Sequence, residues 1–475
     1  MKNNAPTTVL RQSALYAAVA IALAAACGAQ AQTTPLPTLP GYTQLQQNVA
    51  NAIDVVCPRL GPAGISPNQN GTPAQRLAFN CTAMVVTSAV LQGKPVNPDT
   101  AARFDLGIGN EQLRNLVQAS GPVQHNAQSP MTLTSSSMNL LSARLFDLRS
   151  GVPGMALSVN GVDVPLADSA SPANARGGAA SADSPFGGRL SGFVKVAGNW
   201  GNVDKTSLQD AYDYDAWSIL AGADYRVTDA LVAGGALSYE DTRSRFDNSL
   251  GHVDAATWSA AGYATYSSGP WYVDGYLSYG HIDYDTARTI LVPSNNPLIP
   301  TIVSNATASP SGDQWSLSAG TGYNMALANN YMLVPFARLG YINVKNKAFS
   351  ENESGTGLGL AIGERTLESL QTSLGGTIST TFNTAYGVFG PYFTAQWVHE
   401  FKNDNPSIVA KFVNDPNNFQ FFIPTADPTR DYGVFVVGST ATLPNGFSGF
   451  LQFGAAAGLR DASNYSVVAG LRKEF

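Results

Sequence analysis

The stretch that decides the fold is Asn464–Phe475, "NYSVVAGLRKEF". Taken two by two, it sets Tyr465, Val467, Ala469, Leu471, Lys473 and Phe475 on one side of an extended chain. Ser466, Val468, Gly470, Arg472 and Glu474 fall on the other. A period of two between a mostly apolar side and a small or charged one is that of a strand separating two different environments. Soluble domains commonly fray into a few polar residues at the end, so a final aromatic raises the question of what lies on the apolar side.

Composition narrows the answer. Of 475 residues only 13% are charged, against roughly 25% in ordinary globular proteins. Glycines (46) and aromatics (10%) are plentiful. The mean hydropathy of -0.04 is too low for a bundle of membrane helices. After the N-terminus no run approaches the ~20 apolar residues a spanning helix needs. A net charge of -6 leaves a nucleic-acid partner without an electrostatic footprint.

From Arg189 onward the two-residue alternation recurs. "AWSILAGADYRV" puts Trp217, Ile219, Ala221, Ala223 and Tyr225 against Ser218, Gly222, Asp224 and Arg226. "ALVAGGALSYED" opposes Leu231, Ala233, Leu237 and Tyr239 to Gly234, Ser238 and Glu240, and "YMLVPFARLGYI" opposes Leu333, Pro335, Ala337, Leu339 and Tyr341 to Arg338 and Gly340. Long alternating segments edged by aromatics mark a transmembrane β-barrel, whose closure pairs every backbone group in lipid. Twelve segments are expected, beginning near residues 190, 214, 230, 253, 270, 313, 330, 365, 386, 431, 446 and 463. Tight turns such as "VTD", "SSG", "ANN", "NTA" and "LPNG" alternate with longer links. The longer links include "NVDKTSLQDAYD", Arg243 to Asp254, Thr286 to Gly312, Phe349 to Gly363 and Asn403 to Thr429. Short turns belong on the periplasmic rim and long loops outside. A basic side chain at the lipid midplane costs about 2–4 kcal/mol, so Asp224, Arg226, Glu240, Arg338 and Glu400 are expected to face the lumen.

The N-terminus indicates the compartment. Lys2 and Arg11 precede an apolar "ALYAAVAIALAAA" and small residues at Ala29 and Ala31, the pattern of a secretory signal over residues 1–31 cut between Ala31 and Gln32. Cys27 leaves a lipoprotein cleavage site as the other reading. The next two cysteines, Cys57 and Cys81, lie in helix-spaced stretches, and in an oxidising compartment they most simply pair. Residues 32–166 read mainly as helix without internal repeats, and 167–187 as an Ala/Ser/Gly-rich linker. About twenty residues span roughly 30 Å as a helix, the thickness of a bilayer core, and the alternating segments occupy residues 188–475.

The stretches "SGFVKVAGNWG", "SILAGADYRV", "WYVDGYLSYGHIDYDTAR", "PFARLGYI", "ESLQTSLGG", "TAQWVHEF" and "AGLRKEF", in that order, resemble the autotransporter β-domain of type V secretion. The resemblance implies a twelve-stranded barrel in the outer membrane of a Gram-negative bacterium, with a linker in its lumen and an N-terminal passenger at the cell surface. It also implies lipid, the barrel assembly machinery and periplasmic chaperones as partners, and a surface ligand of unknown kind. The closing strand is similar to the family's C-terminal assembly signal, here Val467, Ala469, Leu471 and Phe475. Lys473 departs from it by standing where an aromatic is common. The short helical passenger resembles the short-passenger members, for which location and route are implied and an activity is not.

An enzyme finds no support in the motifs. There is no G-x-S-x-G. Ser169 and Ser184 stand beside Asp only within the linker, and His125 lies in polar "SGPVQHNAQS". His399 lacks the second histidine of H-E-x-x-H, and the glycines of "GTGLGLAIG" have no following Lys. No cofactor or metal set is expected. Two classes stay open: an export device displaying its N-terminal region for adhesion or another contact function, and a structural or pore-like barrel with that region as a plug.

Overall fold

The structure is a computed structural model and describes Leu36, residues 39–61, 64–66, 69–122, 135–150, 156–159 and 162–165, and 189–474 apart from 248–249, 354, 403–404 and 444–446. Residues 1–31 and 167–187, His125 and Phe475 lie outside the described residues, and with them the signal cleavage and the threading linker.

Twelve long strands form one closed antiparallel barrel. They are β1 (Leu190–Val203), β2 (Tyr212–Arg226), β3 (Leu231–Phe246), β4 (Gly251–Ser268), β5 (Trp271–Val292), β6 (Ser311–Tyr323), β7 (Met332–Asn346), β8 (Arg365–Ser379), β9 (Gly387–Glu400), β10 (Asp431–Leu443), β11 (Phe447–Ala457) and β12 (Tyr465–Glu474). Each begins within two residues of where the alternation starts in the sequence. Each strand pairs with its neighbours in chain order, and β12 returns to β1 in a register running from Tyr465↔Trp200 to Glu474↔Ser191. Closure leaves no free edge.

Four of the longer links differ from the loops expected of them. Most of Arg243–Asp254 is strand: β3 runs to Phe246, β4 starts at Gly251, and Arg245 pairs with Asp254 across the hairpin. Within Thr286–Gly312, β5 continues to Val292 and a strand at Ile302–Ala308 pairs back onto it. Phe349–Gly363 and Asn403–Thr429 contribute Phe349–Ser350, Leu360–Ile362, Ile408–Phe412 and Phe421–Ile423, which form a four-stranded sheet beyond the barrel. Strands persist there because helices of the N-terminal region cover their apolar side.

Those helices are α1 (Gln44–Val56), α2 (Pro73–Leu91), α3 (Pro98–Phe104) and α4 (Asn110–Ala119). Their starts are set locally. Thr43 and Thr72 close capping boxes with Gln46 and Gln75, and Pro73 and Pro98 occupy the first helical turn, where no amide partner is needed. Cys57, just past α1, is bonded to Cys81 of α2 with Cα atoms 5.4 Å apart. A fifth helix, α5 (Ser135–Ser150), is followed by an antiparallel pair, Ala156–Val159 with Val162–Pro165. The described helices before the barrel occupy two places: α1–α4 pack at the long-loop rim, whereas α5 lies against the inner wall of the barrel.

Candidate functional site at the two ends of the barrel lumen

The position of the membrane follows from β5. Outward from this strand point Trp271, Val273, Leu277 and Tyr279, all exposed, and then His281, Asp283 and Asp285; inward point Asp274, Tyr276 and Ser278, and then Ile282, Tyr284, Ile290 and Val292. The polarity of the two faces exchanges just beyond Tyr279. On β2 the exchange falls at Trp217, beyond which Asp215 and Asp213 face out and Tyr214 and Tyr212 face in. Aromatic pairs mark both edges of the apolar belt. Trp217–Tyr239, Tyr239–Trp258, Tyr279–Trp315 and Trp200–Tyr465 lie on the long-loop side, and Trp271–Tyr323 and Phe382–Phe389 near the short turns. From Trp217 to Tyr225 the chain rises about 27 Å, which suits a tilted strand crossing an apolar band about 25 Å tall.

At the long-loop mouth α1–α4 and the loops bury one common core. Leu45, Val49, Ile53, Leu77, Phe79, Met84, Leu113 and Leu116 of the helices pack with Ile290, Val292, Leu358, Leu360, Ile408, Phe412, Phe421 and Ile423 of the loop strands. Polar contacts come from four loops. The Leu45 N–H donates to the Ser207 carbonyl at 2.7 Å. Asn296 Nδ2 donates to the carbonyls of Ala102 (3.0 Å) and Asp105 (2.7 Å), Asn80 Nδ2 to that of Thr356 (2.8 Å) and Asn417 Nδ2 to that of Arg59 (2.9 Å). Gly357, at φ +76°, brings its backbone so close to α2 that a Cβ would stand 2.3 Å from the Pro73 carbonyl oxygen. The hub is Arg288 of β5, buried with Glu351. It binds both Glu351 oxygens and donates to the Ala119 carbonyl at the end of α4 and, at 3.0 Å, to that of Leu358. A cation at a helix C-terminus is favourably placed against the helix dipole.

At the short-turn end α5 lies against β1–β5 and β12, burying Leu140, Leu141, Ala143 and Leu145 among Phe193, Ala197, Leu220, Ala236, Tyr276 and Val468. Arg144 forms a buried two-pronged ion pair with Asp224, its Nε 3.1 Å from Oδ1, and lies over the Phe193 ring at 4.3 Å. Asp224 also accepts from Tyr263 Oη at 2.5 Å and Ser191 Oγ at 2.9 Å. A small cavity beside Arg144, lined also by Phe193, Lys195, Phe450 and Arg472, abuts the β12–β1 seam.

The residues singled out from the alternation fall as follows. Asp224, Glu240 and Glu400 are buried on the inner side. Glu400 accepts from Ser369 Oγ at 2.5 Å and from the amides of Leu370 and Lys402. Arg338 donates to Asp274 at 2.7 Å and to Ser318 at 2.9 Å. Arg226 shares the inward parity but is the last residue of β2 and stands exposed at the short-turn rim, so it does not line the enclosed lumen. Leu471 is 68% exposed on the outer wall, with Val467 and Ala469 half-buried beside it. Arg144, Arg288 and Glu351 were not marked by the alternation. Arg144 sits in a helix read as part of the passenger, and the other two in links read as loops. The available signal was a lone Arg in the apolar run "NLLSARLF". Among the described residues no group of three or more His, Cys, Asp or Glu side chains could hold a metal ion. His281 and His399 each contact an aspartate, Asp313 and Asp431, at 2.8 Å on the outer wall.

Comparison with known proteins completes the picture. Residues 192–454 match the model of the autotransporter β-domain. The chain is 26% identical over 212 residues to an uncharacterized protein in the trpE-trpG intergenic region of Pseudomonas putida, covering 43% of this chain and 33% of that one. It is 24% identical over 262 residues to Lipase 1 of Photorhabdus luminescens, covering 54% of this chain and 38% of the lipase. It is 22% identical over 236 residues to Esterase EstA of Pseudomonas aeruginosa, covering 49% and 34%. The chain thus matches 33–38% of the length of these relatives. Among solved structures it is similar to the translocator domain of autotransporter NalP from Neisseria meningitidis, at 16% identity and TM-score 0.48, covering 61% of this chain and 89% of that one. It is also similar to the β-domain of the Bordetella autotransporter BrkA, at 17% identity and TM-score 0.44, covering 60% and 100%. The family match covers more than half of the chain and coincides with the closed twelve-stranded barrel: this protein belongs to the autotransporter family and resides in the outer membrane of a Gram-negative bacterium.

Proposed function

We propose that this autotransporter carries its own N-terminal helices through the barrel and keeps them docked as a cap on the cell-surface mouth, where they serve surface contact such as adhesion. The observation that supports this most is the common core of α1–α4 and the loop strands, in which apolar side chains from both sides become fully buried. Burial of this kind, at about 25 cal/mol per Å² of apolar area, favours retention over release. The long loops belong outside the cell by the usual orientation of such barrels, so the cap is displayed. The outer-wall residues Val467, Ala469 and Leu471, together with Phe475, are proposed to present the assembly signal to the barrel assembly machinery.

The plug reading keeps one supporting observation, α5 against the inner wall, and the two readings meet in a barrel occupied from within and covered from outside. No catalytic role is proposed; the lipase and esterase activities are said only of those relatives. A tag placed after Gln32 tests the display. We expect antibody and added protease to reach it on intact cells while the barrel keeps its heat-modifiable migration. A tag reached only after permeabilisation would place the helices on the periplasmic side and refute the reading.

A further inference from the structure

We infer that the Arg144–Asp224 ion pair is a register lock, which fixes how far the lumen helix stands along the barrel and thereby how much chain lies outside it. The inference rests on the proposed export of α1–α4. Of the other described side chains of α5, Leu140, Leu141, Ala143 and Leu145 pack among Phe193, Ala197, Leu220 and Val468, and Phe146 lies 4.8 Å from Tyr392. Contacts between aliphatic side chains are non-directional, and Leu140, Leu141, Arg144, Leu145 and Leu148 recur at helical spacing. A shift of one turn, about 5.4 Å, would replace one leucine contact by another. The guanidinium admits no such shift.

Both members of the pair are almost fully buried, at 1% and 2% side-chain exposure. Asp224 is further held by Tyr263 and Ser191 from two other strands, so its position is set by the barrel. Leaving either charge unpaired in that place is costly, and fixing a register is the best-attested use of a buried ion pair. Ala119, at the end of α4, is held by Arg288. The barrel thus grips α4 and α5 each through a buried arginine contact, and the grip on α5 sets the stopping point of export.

The test reads register directly. In Phe146→Cys/Tyr392→Cys the two positions should cross-link in the folded, heat-modifiable protein purified from outer membranes, with the product mapped by mass spectrometry. Adding Asp224→Asn should lower the yield at 146 at least fivefold, and Arg144→Asp/Asp224→Arg should restore most of it. Moving the cation by one turn, with Leu140→Arg/Arg144→Leu, should transfer cross-linking to Ser142→Cys/Tyr392→Cys. An unchanged yield with Asp224→Asn, a loss that charge reversal does not restore, or cross-linking that stays at 146 in the shifted variant would each overturn the lock. If the shifted variant does not assemble, the first two measurements decide. All of them concern the lumen helix alone, so their failure leaves the surface-tag result standing, and the reverse holds too.

Discussion

A single strand, β5, has two opposite polarities. Between Trp271 and Tyr279 its apolar side chains face out and its polar ones in; beyond, His281, Asp283 and Asp285 face out, and Ile282, Tyr284, Ile290 and Val292 face in, with Arg288 buried among them against Glu351. The backbone is the same throughout. What changes is the solvent on each side, lipid against a polar lumen below, and water against a helical cap above. The same pattern can therefore report membrane depth, and the point of exchange shows where one part of the molecule ends and the other begins.

The cap half should be the more easily broken. Replacing Glu351 by Ala strands Arg288 in a buried site, and removing one partner of such a pair costs about 3–5 kcal/mol. The expected outcome is a cap digested by protease on a barrel that still migrates as folded. The lipid half should respond to a charge instead. Leu277→Arg, on the outward side within the belt, should destabilise the barrel by about 2–4 kcal/mol in urea titrations of vesicle-bound protein. Asp283→Arg, six residues along the same side but beyond the exchange, should stay within about 0.5 kcal/mol of the parent.

Opening the Cys57–Cys81 bond would sharpen the contrast, because it lies wholly in the cap. By loop closure the bond is worth roughly 3 kcal/mol. Part of that is recovered by the loops that hold the same helices, so reductant should raise proteolysis of the cap modestly and leave the barrel's heat-modifiability unchanged.

The smallest expected effect is with pH. Burial pushes the Asp54 carboxyl up to about 7, opposed by the Leu36 N–H that donates to it at 2.8 Å. An unfolded aspartate titrates near about 3.9, so between the two values the folded cap binds the proton more tightly than the unfolded chain. Cap stability should then be greatest at the acidic end and fall as pH rises from about 4 to 7. Protease protection measured across that range should show the slope, and Asp54→Asn should flatten it.

Much of this was legible in the residues. The twelve strands could be placed because alternation is local: each side chain's face follows from its parity, and lipid makes errors of parity expensive. Asp224, Glu240 and Glu400 followed from the same rule. It failed at Arg226, since parity says which face a residue is on but not whether the wall still encloses that face. It also failed above the girdle, where strands such as Ile302–Ala308 and Leu360–Ile362 exist because a helix covers them.

The sequence by itself determined the barrel, its strand starts, its short and long connections and the pairing of two cysteines, because each depends on near neighbours or on the solvent. Only the tertiary structure decided that α1–α4 share their core with the loops, that Arg288 grips the end of α4, and that α5 stands in the lumen against Asp224. The physical reason is separation along the chain. Arg144 and Asp224 are 80 residues apart and Arg288 and Ala119 are 169 apart. No periodicity links such positions, and they meet only once the barrel has closed around one and beneath the other.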